Sequence, residues 1–180
     1  QDFAQYQMTI RENIEAGYAG HKFTDEEIWS ILDMVGLKDE VLKLEKGIDT
    51  QLGQLSKGIE LSKGQWQRLA IARLLANPNA TIWILDEPTA YLDPISEIDI
   101  YDLIYKISGD RTVLFISHRL GFAKRADRII VFDKGKVAEQ GSHEELMQKG
   151  GIYAEMYKIQ ESWYTTSSNS IEPRPAITGS

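Results

Sequence analysis

Thr81-Ile82-Trp83-Ile84-Leu85-Asp86-Glu87-Pro88-Thr89 is the stretch on which the fold turns. Its first five residues form a short, nearly continuous apolar run rather than an alternating one, and Thr112-Val113-Leu114-Phe115-Ile116 repeats the pattern. Runs of this kind are what parallel strands covered on both faces require. Between them Asp93 is placed to cap a helix that opens on Pro94. Ile100, Leu103, Ile104 and Ile107 supply its buried stripe, and Gly109 ends it. The segment therefore predicts a strand, helix, strand unit. A carboxylate at the C-terminal end of such a strand projects into the crevice where α/β sheets bind ligands. Asp86 and Glu87 stand there; a solvated acidic turn would use the same residues.

Upstream, capping boxes pair a hydroxyl with an acid or amide three residues later. Thr9 with Glu12, Thr24 with Glu27, and Ser62 with Gln65 announce helices, as does Ser142 with Glu145 further on. After Thr24, the residues Ile28, Ile31, Leu32 and Val35 fall on one helical face and Gly36 supplies the stop. The first half is thus predicted helical up to Asn77 and Pro78. Downstream, a strand over residues 128–132 turns at Asp133-Lys134-Gly135 into Lys136-Val137-Ala138, read as a hairpin at the sheet's end. Two more helices run from His143 to Trp163. Residues 165–180 are rich in Ser, Thr and Pro without apolar periodicity and are expected to be a disordered tail. The expected organisation is residues 1–77 as a helical portion, 78–164 as an α/β core with C-terminal helices, and then the tail.

Composition narrows the function. Among 180 residues, 27 acidic side chains against 20 basic ones leave a net charge of −7, which argues against a surface that grips nucleic-acid phosphates. The absence of cysteine excludes a disulfide scaffold and zinc–thiolate sites. No apolar run approaches the roughly 20 residues that span a bilayer, so a link to a membrane has to come through a partner or a further segment.

Leu61-Ser62-Lys63-Gly64-Gln65, followed by Trp66-Gln67-Arg68-Leu69-Ala70-Ile71-Ala72-Arg73, closely resembles the signature motif of the ABC-type ATPases. Physically it is a helix that opens with a hydroxyl and a glycine. Its exposed amides and positive dipole end make an anion site, which the glycine lets a phosphate approach. Ser62 and Gln65 also serve as an ordinary cap. The family commonly has glycine where this chain has Lys63. A near-copy, Leu55-Ser56-Lys57-Gly58, leads into no amphipathic helix and is read as loop.

Residues 82–89 resemble the family's Walker B segment, Ala90-Tyr91-Leu92-Asp93-Pro94 its D-loop, His118 its switch histidine and Gln1-Asp2-Phe3 its Q-loop. The resemblance covers residues 1 to about 163 with five motifs in family order. It implies an α/β, P-loop NTPase-like (RecA-like) parallel sheet with helices on both faces, plus an α-helical subdomain. It implies ATP and Mg²⁺ as ligands, with Asp86 and Gln1 toward the metal, and Glu87 orienting or deprotonating the attacking water. His118 would contact the γ-phosphate; Gln1, Ser62, Gly64, Gln65 and Asp93 would touch nucleotide or the paired domain. No Gly-x-x-x-x-Gly-Lys-Ser/Thr occurs in the sequence, so the P-loop reads as cut away and the chain alone is expected to have weak or absent ATPase activity. The implied partners are a second ATPase domain, head to tail, and a transmembrane domain that holds the ATPase at the cytoplasmic face of a membrane. Thr9-Ile10-Arg11-Glu12-Asn13-Ile14 and Gly141-Ser142-His143-Glu144-Glu145-Leu146 resemble the exporter branch. A soluble ABC ATPase and a non-catalytic module docking on a partner ATPase are the alternatives.

Overall fold

The computed structural model describes residues 4–53, 58–89 and 92–169, with the backbone alone for Pro94 and residues 163–169. The chain divides into two compact units, Gln1–Ile116 and Ser117–Ser180.

In the first unit α1 (Ile10–Glu15), α2 (Asp25–Met34), α3 (Lys38–Leu42) and α4 (Lys63–Ala76) precede β1 (Ile82–Asp86), α5 (Pro94–Ser108) and β2 (Thr112–Ile116). The predicted caps are all present. The Glu12 amide donates to Thr9 Oγ1 at 3.1 Å while the Thr9 amide donates to Glu12 Oε2 at 2.8 Å, and Thr24 and Glu27 repeat the exchange. Helix α4 is the hub, packing against α1, α2 and α5. It buries Trp66, Leu69, Ala72 and Ala76 along one stripe and Gln67 and Ile71 beside it, as a helix surrounded on several sides must. Ile14, Ile28, Leu32 and Leu69 are fully buried in a core that also takes in Leu85 of β1 and Ile100 and Ile104 of α5.

Two polar devices fix the approach of α1. Arg11 bridges Asp25 and Asp49, each at 2.7 Å, tying α1 to the start of α2 and to a short 3-10 turn at Gly47–Asp49. Asn13, wholly buried, donates to the carbonyls of Tyr6 and Thr9, both at 3.0 Å, and accepts from Arg73 Nη2 at 3.1 Å. Arg73 also donates to the Ala4 carbonyl at 2.7 Å and lies over the Tyr6 ring. The chain after α1 comes so near α4 that a Cβ on Gly17 would stand 2.1 Å from the Arg73 carbonyl oxygen, which explains a glycine there.

β1 and β2 pair in parallel, from Ile82 opposite Thr112 to Asp86 opposite Ile116, as the apolar runs require. Coverage departs from expectation. Trp83 and Leu85 are buried, whereas Ile82, Ile84, Leu114 and Ile116 on the opposite face are about half exposed or more, among the described residues. Among those residues the sheet has two strands, with a covering core on one face alone.

In the second unit β3 (Ile129–Asp133) and β4 (Lys136–Gly141) form an antiparallel hairpin, followed by α6 (His143–Lys149) and α7 (Ile152–Asn169). Lys134 and Gly135 both take positive φ, 48° and 74°, the two-residue turn that suits twisted strands. Among the described residues the hairpin's two strands pair with each other as a two-stranded sheet. Leu120, Leu146 and Tyr153 form its small core, and Glu139 accepts from the Tyr153 amide at 3.0 Å at the start of α7. The tail expected from residue 165 is helical as far as Asn169. An established helix adds one backbone hydrogen bond per residue whether or not the side chain is apolar, so Thr and Ser extend it. Residues 170–180 lie outside the described residues.

Candidate functional site

Ser62 is exposed at the tip of α4. Its Oγ accepts from the Gln65 amide at 3.2 Å, leaving the hydroxyl proton to be given elsewhere. A Cβ on Gly64 would meet nothing within 4 Å. A glycine in the first turn of a helix forgoes about 1 kcal/mol relative to alanine, and here packing supplies no reason for it. Open space above exposed amides is what an incoming anion needs. Gln65, predicted to touch ligand, is engaged inside the unit. Its Oε1 accepts from the Ser62 amide at 2.9 Å and its Nε2 donates to Glu40 Oε2 on α3 at 2.8 Å. Glu40 carried no sequence signal, because the contact spans 25 residues.

Asp86 ends β1 as an exposed residue, and Glu87 follows, only 9% exposed. The Glu87 amide donates to the Ile116 carbonyl at 2.8 Å, carrying the parallel pairing one residue past the strand. Glu87 has φ of 47°, one of two positive non-glycine values among the described residues. A left-handed conformation costs an L-residue about 1–2 kcal/mol, and such outliers concentrate at functional sites. Below this turn Thr89, wholly buried, shares hydrogen bonds of 3.3 Å with Glu97 and with the Tyr101 hydroxyl, so the turn is anchored to α5 from beneath.

Asp93 is exposed and caps α5, accepting from the Ile95 and Ser96 amides at 3.1 Å and from Ser96 Oγ at 2.6 Å. Those bonds, the Ser96 hydroxyl's foremost, hold its carboxyl below the ordinary range. Ala90 and Tyr91 of the predicted D-loop, Gln1-Asp2-Phe3 and most of the near-copy at 55–58 lie outside the described residues.

His118 belongs to the second unit, with its side chain exposed. Its carbonyl accepts from Gln160 Nε2, and the Leu120 amide donates to Gln160 Oε1 at 2.9 Å. The structure thus brings together Ser62, Gly64 and Gln65 at one helix tip and Asp86 with Glu87 at one strand end.

No group of three or more His, Cys, Asp or Glu side chains is arranged to hold a metal among the described residues. The exposed Asp86 carboxylate at the end of β1 is a donor that Mg²⁺ would fit, because that ion is ordinarily held by one or two carboxylates with water and substrate phosphate oxygens completing its shell. No helix among the described residues is long and apolar enough to cross a membrane.

Comparison with known proteins gives a consistent result. A family model described as ABC transporter matches residues 1–90. The chain is 41% identical over 162 residues to the nisin transport ATP-binding protein of Lactococcus lactis subsp. lactis, covering 89% of this chain and 27% of that protein. It is 43% identical over 159 residues to the subtilin transport ATP-binding protein of Bacillus subtilis, covering 87% and 25%. Among solved structures, a bacterial Atm1-family ABC exporter with ATP bound is similar at a TM-score of 0.76 and 38% identity, over 89% of this chain and 27% of that one. The chain therefore spans about a quarter of the length of the relatives it matches. A family match over half the chain, joined to a serine- and glycine-bearing helix tip and a carboxylate-ended parallel strand, leads to one conclusion: the chain belongs to the ABC transporter family.

Proposed function

We propose that the chain is part of the ATP-binding motor of an exporter, coupling ATP hydrolysis to movement of a substrate out across a membrane. The observation that carries this reading is the α4 tip, where Ser62 is exposed and Gly64 faces open space. An anion-binding helix end aimed away from its own core suits nucleotide held by a second ATPase domain, paired head to tail. The names of the relatives, nisin transport, subtilin transport and putative multidrug export, support an exporter over a soluble ATPase. The match to ATP-binding/permease proteins supports a transmembrane domain in the same assembly, and with it a place at the cytoplasmic face of a membrane.

In this reading Ser62 donates to a phosphate oxygen and Gly64 lets the phosphate approach the helix amides. Asp86 and Gln1 would hold Mg²⁺, which when bound supplies positive charge against the phosphate oxygens. Glu87 orients the attacking water and accepts its proton, its position set by the strained turn and the Ile116 hydrogen bond. His118 donates to the γ-phosphate. Asp93 caps α5 and lies in the loop that meets the paired domain.

The test is steady-state ATP turnover and nucleotide binding by the intact protein. Glu87→Gln keeps shape and hydrogen bonding while removing the base, so turnover falls about a hundredfold or more while ATP binding persists. Undiminished turnover in Glu87→Gln would remove the glutamate from the mechanism. Loss of ATP binding alongside turnover would mean that the residue shapes the site rather than the chemistry.

A further inference from the structure

We propose that Gln160, on α7, is a positioning residue for His118, holding the histidine's backbone in the direction that catalysis uses. The inference rests on the reading of His118 given above and adds a residue outside every motif that carried it.

Residues 117–120 leave β2 and enter no strand, so their backbone groups need other partners. Three are supplied. The Arg119 amide donates to Ser117 Oγ at 3.0 Å, the Leu120 amide donates to Gln160 Oε1 at 2.9 Å, and Gln160 Nε2 donates to the His118 carbonyl. One planar side-chain amide therefore grips the carbonyl of one residue and the N–H two positions later. That pairing restrains the peptide units on both sides of Arg119, and with them the bond from which the His118 ring projects. Leu120, 8% exposed, adds an apolar anchor in the core with Leu146 and Tyr153.

The grip has a firm base. Tyr153, Tyr157 and Gln160 stand at i, i+4 and i+7, one face of α7. Tyr153 is 1% exposed and its amide is held by the Glu139 carboxylate, so the helix start is immobilised and Gln160 projects from the same side. Glutamine is the side chain that offers this donor and acceptor in one plane at this reach. Glutamate has no donor, and asparagine is one carbon shorter.

The experiment is ATP turnover by the intact protein for Gln160→Ala and Gln160→Glu, alone and with His118→Ala. The expected result is a fall in kcat of about threefold to tenfold for each Gln160 variant, with KM for ATP within about twofold. Gln160→Glu behaves at least as badly as Gln160→Ala, because its carboxylate faces the His118 carbonyl. In the His118→Ala background neither change has further effect, since the group being positioned is gone. Unchanged kcat, or losses that simply add to that of His118→Ala, would overturn the proposal and leave Gln160 a stabilising contact. Should Gln160→Ala fail to fold, the same-sized Gln160→Glu carries the decision. If His118→Ala itself leaves turnover unchanged, the reading of His118 fails, and this inference falls with it for a reason separable from Gln160.

Discussion

The two units hold their candidate site residues by different means. In the first, α4 sits within a large apolar core, and the exposed tip bearing Ser62 inherits its direction from buried Trp66, Leu69 and Ala72 about one to three turns along. In the second, the packed apolar cluster among the described residues is built on Leu120, Leu146 and Tyr153, and the backbone at His118 is held by the amide of Gln160. A large core positions a side chain through rigidity of the whole element. A small one needs polar side chains that reach back onto the backbone and pair with it.

The strongest way to break this contrast is to hollow the larger core. Leu69→Ala, at a fully buried position on α4, is expected to cost about 3 kcal/mol, whereas Ile84→Ala on the half-open strand face costs under about 0.5 kcal/mol; urea unfolding of the two variants measures both. Equal losses would mean that the exposed face is covered in solution. Next in size is Gly17→Ala. The new methyl would meet the Arg73 carbonyl oxygen at 2.1 Å, forcing α1 and α4 apart at about 2 kcal/mol. A thermal shift near zero would show that the close approach relaxes freely. The smallest effect sharpens the picture of the second core. Burial pushes the Tyr153 hydroxyl up to about 12, above the ordinary tyrosine value. The folded state therefore binds this proton more tightly than the unfolded one. The stability it contributes is complete below the unfolded pKa near 10 and fades as pH rises from there through about 12. Phenolate absorbance during alkaline titration, compared with Tyr153→Phe, should reveal one late-titrating tyrosine. Its absence would mean that the small core admits water.

Much of the fold was legible from short-range chemistry. The capping boxes at Thr9, Thr24, Ser62 and Ser142 and the Asp93-Pro94 start all mark true helix beginnings, because a cap is a contract between residues two or three apart. The parallel pairing of Ile82–Asp86 with Thr112–Ile116 followed from apolar runs around a helix. Coverage of the sheet did not follow, since an apolar run records that a residue is suited to burial and is silent on what covers it. Ile82, Ile84, Leu114 and Ile116 remain open to solvent among the described residues, while Trp83 and Leu85 of the same strand are buried.

Of the candidate site, Ser62, Gly64, Asp86, Glu87, Asp93 and His118 could be picked out as residue types in order along the chain. Their supports could not. Glu40 on Gln65 of the Ser62 cap and Gln160 on the His118 backbone join residues 25 and 42 positions apart. Neighbours along the chain interact in any conformation that forms the local element, so their chemistry leaves a readable pattern. Partners dozens of residues apart meet only after the helices have packed, and nothing in either local stretch marks the other. The chain thus carries its own helix starts, strands and acids openly, while folding alone assigns the side chains that aim them.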